Sequence, residues 1–320
     1  MDTPLVTIGA LNYNNSRFLI ETLKSIESQT YPNIELIIVD DGSSDDSLSK
    51  IKSWLSNYNK PYKLIVHEEN KGIHCGYETV IDHSSGEYIS LLATDDLITP
   101  DKIKDQVESF LSLDKGYGVV YGDVVEIDDS GKEISLPNFT IHKNKKKDWE
   151  LPEGDVFKWV VKEFLIYIQA SLIRSELLKN FRFNLKTLSE DWQLILYLAR
   201  HSKFYGSDKV CSKYRKHTLS VSARNREQER YYLWSYNNLL MFHEVYGFKK
   251  NNKEEKKVIE KRIEFDMFDY AYQSRAKYNK VIQTWGLVTK NMPSVKAYRM
   301  LFVIHLLRLK LMLKKIILKW

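Results

Sequence analysis

Three acidic pairs stand out along this 320-residue chain: Asp40-Asp41, Asp95-Asp96 and Glu190-Asp191. The first follows the apolar run Ile34 to Val39, and the second follows Tyr88 to Ala93. Both therefore sit where a buried strand ends. The third pair lies in Ser189-Glu190-Asp191-Trp192, just before Leu194, Leu196 and Leu198, where a helix begins. Carboxylates at strand ends suit Mn²⁺ or Mg²⁺, ions that favour carboxylate and phosphate oxygens and neutralise a departing diphosphate. The chain has no Gly-x-Gly-x-x-Gly or Walker sequence, so phosphates are not cradled mainly by a glycine-rich loop.

The elements that must position these groups follow from hydropathy. Residues 4–11 read as a buried strand, and Asn12 to Ser16 supply turn and cap residues. Phe18, Leu19, Leu23 and Ile26 recur at helical spacing, with Tyr31-Pro32-Asn33 ending that helix. A strand over 34–39 leads into Asp40-Asp41-Gly42-Ser43-Ser44, after which Ser44 or Asp45 caps a helix carrying Leu48, Ile51 and Leu55. Further strands are expected at 62–67, 88–93 and 119–125, with helices over 76–83 and from Thr99-Pro100-Asp101. Alternating strands and helices joined by short loops imply βαβ units and a largely parallel sheet with helices on both faces. Ligands bind such sheets beyond the C-terminal strand ends. Asn12-Tyr13, Asp40-Asp41 and Asp95-Asp96 all reach that edge. The pattern fails over 131–153, where His142 to Lys147 reads as a basic, irregular loop. From about Arg224 the chain reads as all-helical, and a domain boundary is expected there.

Several segments taken in order resemble the family 2 glycosyltransferases of GT-A fold. They are Val6 to Asn14, Gln29-Thr30-Tyr31-Pro32-Asn33, Ile37 to Ser44, Gly86 to Pro100, Ser189-Glu190-Asp191 and Tyr214-Arg215-Lys216-His217. The resemblance covers roughly residues 4–222. It implies a GT-A catalytic domain over 1–224, with a nucleotide-sugar half to about 125 and an acceptor half from 126, followed by a helical region over 225–320. It further implies a nucleotide-sugar site formed by Ala10, Asn12, Tyr13, Asp41, Thr94, Asp95, Asp96 and Arg215. Within it, Tyr13 lies near the nucleobase and Asp41 accepts a uracil N–H. Asp95 and Asp96 match the metal and ribose-diphosphate motif, with the metal ligand open between them. That motif commonly reads Asp-x-Asp-Asp, and Ala93 replaces its first member here. Glu78 stands where many relatives carry Asn. Asp191 matches the catalytic base, and the dipole of its helix is expected to keep it ionised. His217 matches a histidine that approaches metal or diphosphate in some relatives, and Arg215 and Lys216 are expected to pair with phosphate.

The implied reaction is inverting transfer from a UDP-sugar to a glycan or lipid-linked saccharide, as in bacterial surface polysaccharide synthesis, with a loop over Tyr214 to Arg226 closing on the donor. Bland alternatives stand beside each role. Asp40-Asp41 also suits a capped turn, Asp191 an N-cap, Tyr13 the core, and His217 the surface. A sugar nucleotidyltransferase would carry a glycine-rich, basic loop after the first strand, where this chain has Asn12-Tyr13-Asn14-Asn15. A non-catalytic carbohydrate- or membrane-binding protein is the second alternative.

Composition bounds the rest. Net charge is +6, yet no Asp or Glu follows Asp269, while eleven Lys and Arg do. The stretch Ala297 to Trp320 mixes those cations with Leu and Ile, which suits an anionic membrane surface, packing on its own domain or a sister subunit. Positive charge gathered in an apolar tail argues against nucleic-acid binding. Met300 to Leu307 is too short to span a bilayer, which takes ~20 residues. Cys75 and Cys211 lack metal spacing and read as reduced thiols. The expected location is cytoplasmic, or peripheral on the inner face of the cell membrane.

Overall fold

The computed structural model describes residues 3–146, 148–163, 165–184, 190–218, 220 and 251–273, with a few isolated positions beyond. Eight strands form one sheet in the order β3-β2-β1-β4-β7-β6-β8-β5. They are β1 (Val6–Asn12), β2 (Ile34–Asp40), β3 (Tyr62–Val66), β4 (Tyr88–Ala93), β5 (Leu97–Ile98), β6 (Tyr117–Ile127), β7 (Ser171–Arg174) and β8 (Lys203–Arg215). The helices are α1 (Leu19–Glu27), α2 (Ser47–Leu55), α3 (Ile73–His83), α4 (Lys102–Ser112), α5 (Asn138–Lys145), α6 (Phe157–Lys162), α7 (Glu190–His201) and α8 (Lys253–Gln273).

β1 pairs in parallel with β2 and β4, and β2 with β3. Every residue of β1 and β2 is buried, as a strand covered on both faces requires. Ile8, Leu36, Ile38, Leu19, Leu23 and Ile26 share one core cluster. Each such side chain contributes ~1.5–3 kcal/mol by leaving water. On β1, Gly9 leaves no room for a Cβ, which would fall 2.4 Å from Val80 Cγ1, so α3 seats flush on the strand.

The largely parallel sheet expected from hydropathy holds for the first half. In the second half β7 runs antiparallel to both β4 and β6, and β5 antiparallel to β8, while β6 and β8 are parallel. β7 is four residues long and hidden within one apolar stretch, so periodicity did not separate it. Two boundaries also move. α3 begins at Ile73 rather than at Gly76. α2 begins at Ser47, where Asp45 Oδ1 accepts the Ser47 N–H at 3.0 Å.

The expected irregular loop at His142 is corrected: His142 to Lys145 belong to α5. That helix has almost no apolar face, so its sequence gave little sign of it. Its start is fixed from outside, because both oxygens of the buried Asp123 on β6 accept the Phe139 N–H, at 3.1 and 3.0 Å.

The chain divides into two compact units. One comprises 1–160, 164–183 and 190–217; the other comprises 161–163, 184–189 and 218–320. The expected boundary at Arg224, the closing loop beyond 220 and the basic tail lie outside the described residues. Within the second unit, α8 opens with a reciprocal cap. Asn252 Oδ1 accepts from Glu255 N at 3.0 Å, and Glu255 Oε2 accepts from Asn252 N at 2.7 Å. Among the described residues no helix is long and apolar enough to cross a membrane.

Candidate active site

The C-terminal ends of β1, β2 and β4 are stitched together by one amide. Asn12 Nδ2 donates to Asp40 Oδ2 at 2.7 Å and to Ser43 Oγ at 3.0 Å. Its Oδ1 accepts from Thr94 Oγ1 at 2.8 Å. Asn12, Asp40 and Thr94 are all buried, so these bonds satisfy groups that water cannot reach. Asn14, at φ +52°, turns the chain back. Its Oδ1 accepts from Ser44 N at 2.8 Å, which welds the loop after β1 to the loop after β2. Tyr13, between them, keeps 43% of its surface exposed.

Asp41, the first residue after β2, has a separate set of partners. Its Oδ1 accepts from Lys71 N at 2.9 Å and from His67 Nδ1 at 2.7 Å, and its Oδ2 accepts from Gly72 N at 2.8 Å. His67 Nε2 in turn meets Thr79 Oγ1 of α3 at 3.1 Å. His67, Lys71 and Gly72 are residues that sequence reasoning missed. The only local sign was the Asn70-Lys71-Gly72 turn, in which Gly72 adopts φ +86°.

After β4, Asp95 and Asp96 part company. Asp96 turns inward, 4% exposed, and its Oδ1 accepts the Arg215 backbone N–H at 2.8 Å. Burial pushes its carboxyl well above the ordinary range, and the charges of Asp95 and Asp191 push the same way. Asp95 keeps more solvent contact, and its Oδ2 lies 3.0 Å from His217 Nε2. Two ligands at right angles on one divalent ion, each bonded at ~2.0–2.2 Å, are about that far apart. Asp95 and His217 are hydrogen-bonded to each other, and a carboxylate with an imidazole nitrogen is also a donor set that Mn²⁺ or Mg²⁺ accepts. No third His, Cys, Asp or Glu joins them among the described residues. Such a seat leaves most coordination positions to phosphate oxygens and water.

Arg215 was expected to reach phosphate, but its side chain is fully buried. Its Nε donates to Asp95 O at 2.8 Å and its Nη1 to Asp128 O at 2.9 Å, while Nη2 pairs with Glu21 Oε2 at 2.6 Å. Its guanidinium also lies over the Phe18 ring, 4.7 Å from the centroid. Lys216 is drawn aside by Glu126, at 3.0 Å. Ala10, two residues short of the end of β1, has its side chain in the hydrophobic core rather than at the edge. Asn12, Tyr13, Asp41, Thr94, Asp95, Asp96, Arg215 and His217 all gather at the edge.

Asp191 occupies the first turn of α7. Its influence on Asp96 shows that its charge reaches the Asp95-Asp96 loop, and Tyr77 feels both pairs. The residue is half-buried, but its Oδ1 is fully shielded and has no hydrogen-bond partner among the described residues. Burial pushes its carboxyl up to about 6 and that of Glu190 up to about 8, Asp191 adding to the latter. Desolvation therefore outweighs any lowering by the helix dipole, yet at about 6 the carboxyl is still mostly ionised at neutral pH. A carboxylate poised just below neutral pH, with one bare oxygen, is equipped to take a proton.

A family model described as "Glycosyl transferase family 2" matches residues 7–168. An uncharacterized glycosyltransferase of Haemophilus influenzae is 30% identical over 285 residues, 88% of this chain and all of that one. Two solved structures share the fold. TarS 1-349 of S. aureus, in complex with UDP-GlcNAc, superposes with a TM-score of 0.66 at 15% identity, covering 91% of this chain and 82% of that one. The mannosyltransferase PcManGT of Pyrobaculum calidifontis, in complex with GDP-Man and Mn²⁺, gives 0.61 at 16%, covering 97% and 81%. The sheet is that of the GT-A glycosyltransferases, and the chain belongs to glycosyl transferase family 2.

Proposed function

We propose that the protein is a metal-dependent, inverting glycosyltransferase that uses a UDP-sugar and a glycan or lipid-linked saccharide acceptor. The observation carrying this reading is the meeting of Asp95 Oδ2 and His217 Nε2 at 3.0 Å, on the sheet edge that also bears Asp41. Asp41 offers a carboxylate to a nucleobase N–H, and Tyr13 offers an exposed ring beside it. Asp95 and His217 would hold Mn²⁺ or Mg²⁺, which when bound supplies positive charge to a departing diphosphate. Asp96 holds the Asp95 loop through Arg215 instead of binding the ion. Asp191 takes the proton from the acceptor hydroxyl as that oxygen attacks the anomeric carbon opposite the leaving diphosphate. Arg215 serves the loop rather than the phosphate. Membership of a surface polysaccharide pathway, with the basic tail against an anionic inner membrane face, fits the charge distribution of the chain.

The test is a screen of nucleotide-sugars for hydrolysis with and without Mn²⁺, repeated for Asp95→Asn and His217→Ala. One UDP-sugar should be turned over only with the metal, and both variants should lose at least ~100-fold. Metal-independent turnover, or wild-type rates in either variant, would refute the assignment.

A further inference from the structure

The hydrogen-bond set around the buried Asp41 is more elaborate than a carboxylate for a nucleobase requires. Gly42, at φ +70°, lets the turn after β2 lie flat on the backbone of Glu69 and Asn70. A Cβ there would fall 2.7 Å from Glu69 C and 2.9 Å from Asn70 N. This close approach brings Lys71 N and Gly72 N onto the two carboxylate oxygens. His67 enters from the end of β3, where its own N–H extends the ladder by donating to Asp40 O at 2.9 Å. A carboxylate oxygen can only accept, so Nδ1–H is the donor in the 2.7 Å contact with Asp41. Thr79 holds the far side of the ring, and its own hydroxyl is anchored on Cys75 O at 2.8 Å within α3. The imidazole is thus fixed at both nitrogens and is 9% exposed.

We infer that His67 is a positioning residue that sets which nucleobase the site accepts. This rests on the reading of Asp41 as the base acceptor. Two backbone donors and His67 use three of the roughly four acceptor sites of Asp41. On this reading the one remaining, on Oδ2, is what a base would meet as a fixed acceptor, since the carboxylate cannot rotate while His67 and Gly72 hold opposite oxygens. A base presenting an imide-type N–H, such as the N3–H of uracil or the N1–H of guanine, meets that oxygen as a donor. Cytosine presents a lone pair at N3 and meets it as a second acceptor. A site built for a donor rejects a ligand that lacks it, because buried polar groups are then left facing each other. Loosening Asp41 by removing His67 lets the carboxylate swing away from that clash, so discrimination falls more than affinity does.

The experiment is calorimetric titration of the full chain with UDP and with CDP, both in the presence of Mn²⁺, reading the ratio of the two affinities. Wild-type protein should favour UDP by ~10-fold or more. His67→Ala should bring the ratio several-fold closer to one, and His67→Asn, whose amide can still donate to Asp41, should largely restore it. Thr79→Val, a milder loss of the ring's second anchor, should fall between and covers the case in which His67→Ala does not fold. Equal weakening of both nucleotides in His67→Ala and Thr79→Val, with the ratio unchanged, would overturn the inference. Asp41→Asn separates the two levels. If it leaves the ratio unchanged, Asp41 is not the base acceptor. If it alters the ratio while His67→Ala does not, Asp41 reads the base unaided.

Discussion

Asp191 is where burial and charge oppose each other most directly. Its carboxyl, raised by burial to about 6, is mostly ionised at neutral pH. If it is the base, kcat/KM should rise with pH and level off above about 6, and at pH 5 it should be ~10-fold below the plateau. Asp191→Asn should lose ~100- to 10,000-fold in turnover while binding UDP normally. The same substitution should raise Tm at neutral pH. A carboxyl whose folded pKa is raised favours folding at low pH, and that contribution is lost as pH climbs through the folded value. Glu190, raised from 4.5 to about 8, gives a second window. Glu190→Gln should melt higher than wild type near pH 8 and lose that advantage below about pH 4.5. Sequence reasoning located Asp191 through its motif and helix start, but burial is a tertiary property. The upward shift comes from what covers the turn, which local sequence does not reveal.

Arg215 sets the element-scale behaviour. A single guanidinium joins the end of β8 to the β4–β5 loop, to α1 through Glu21 and to the turn at Asp128. Arg215→Ala should destabilise the protein by ~2–4 kcal/mol, read by urea melts, because carbonyls and a carboxylate lose their donor together. It should also weaken Mn²⁺ binding at least ~10-fold, since Asp95 O is one of those carbonyls. Arg215→Lys should not rescue either property, because an ammonium cannot span the same fork. Elements with strong local patterns were legible: β1, β2 and β4 are mainly apolar runs, and α1 has clean periodicity. Elements set by distant partners were not. α5 depends on Asp123, β7 is four residues inside a longer apolar stretch, and β8 alternates too weakly to announce a thirteen-residue strand. Arg215 itself shows the limit, since beside Lys216 and His217 its type suggests a phosphate ligand, and only the fold reveals the carbonyls, carboxylate and ring around it.

At the scale of the molecule, the proposed two-ligand metal seat, with one nitrogen donor, would have a preference. Imidazole ligation favours a transition ion over Mg²⁺, so Mn²⁺ should support turnover at ~10-fold lower concentration than Mg²⁺, measured by titrating each into chelator-treated enzyme. The eleven cations that follow Asp269 predict a second property of the whole chain. It should cosediment with vesicles containing phosphatidylglycerol at low salt and be released at high salt, and a chain ending near 273 should not.

The sheet also fixes when the site comes into being. Asn12, Asp41 and His67 lie in the first quarter of the chain, and the Asn12–Asp40 and Asp41–His67 bonds span only 28 and 26 residues. Arg215 and His217 reach Asp95 only across 120 and 122 residues. On the ribosome, the nucleotide end can therefore form long before the metal end. Until β8 lies beside β6, the nascent chain has the proposed nucleotide end but lacks Arg215 and His217 beside Asp95. Emergence of the chain past His217, not of its last residue, is then the event that completes the proposed site, and a half-made chain lacks it.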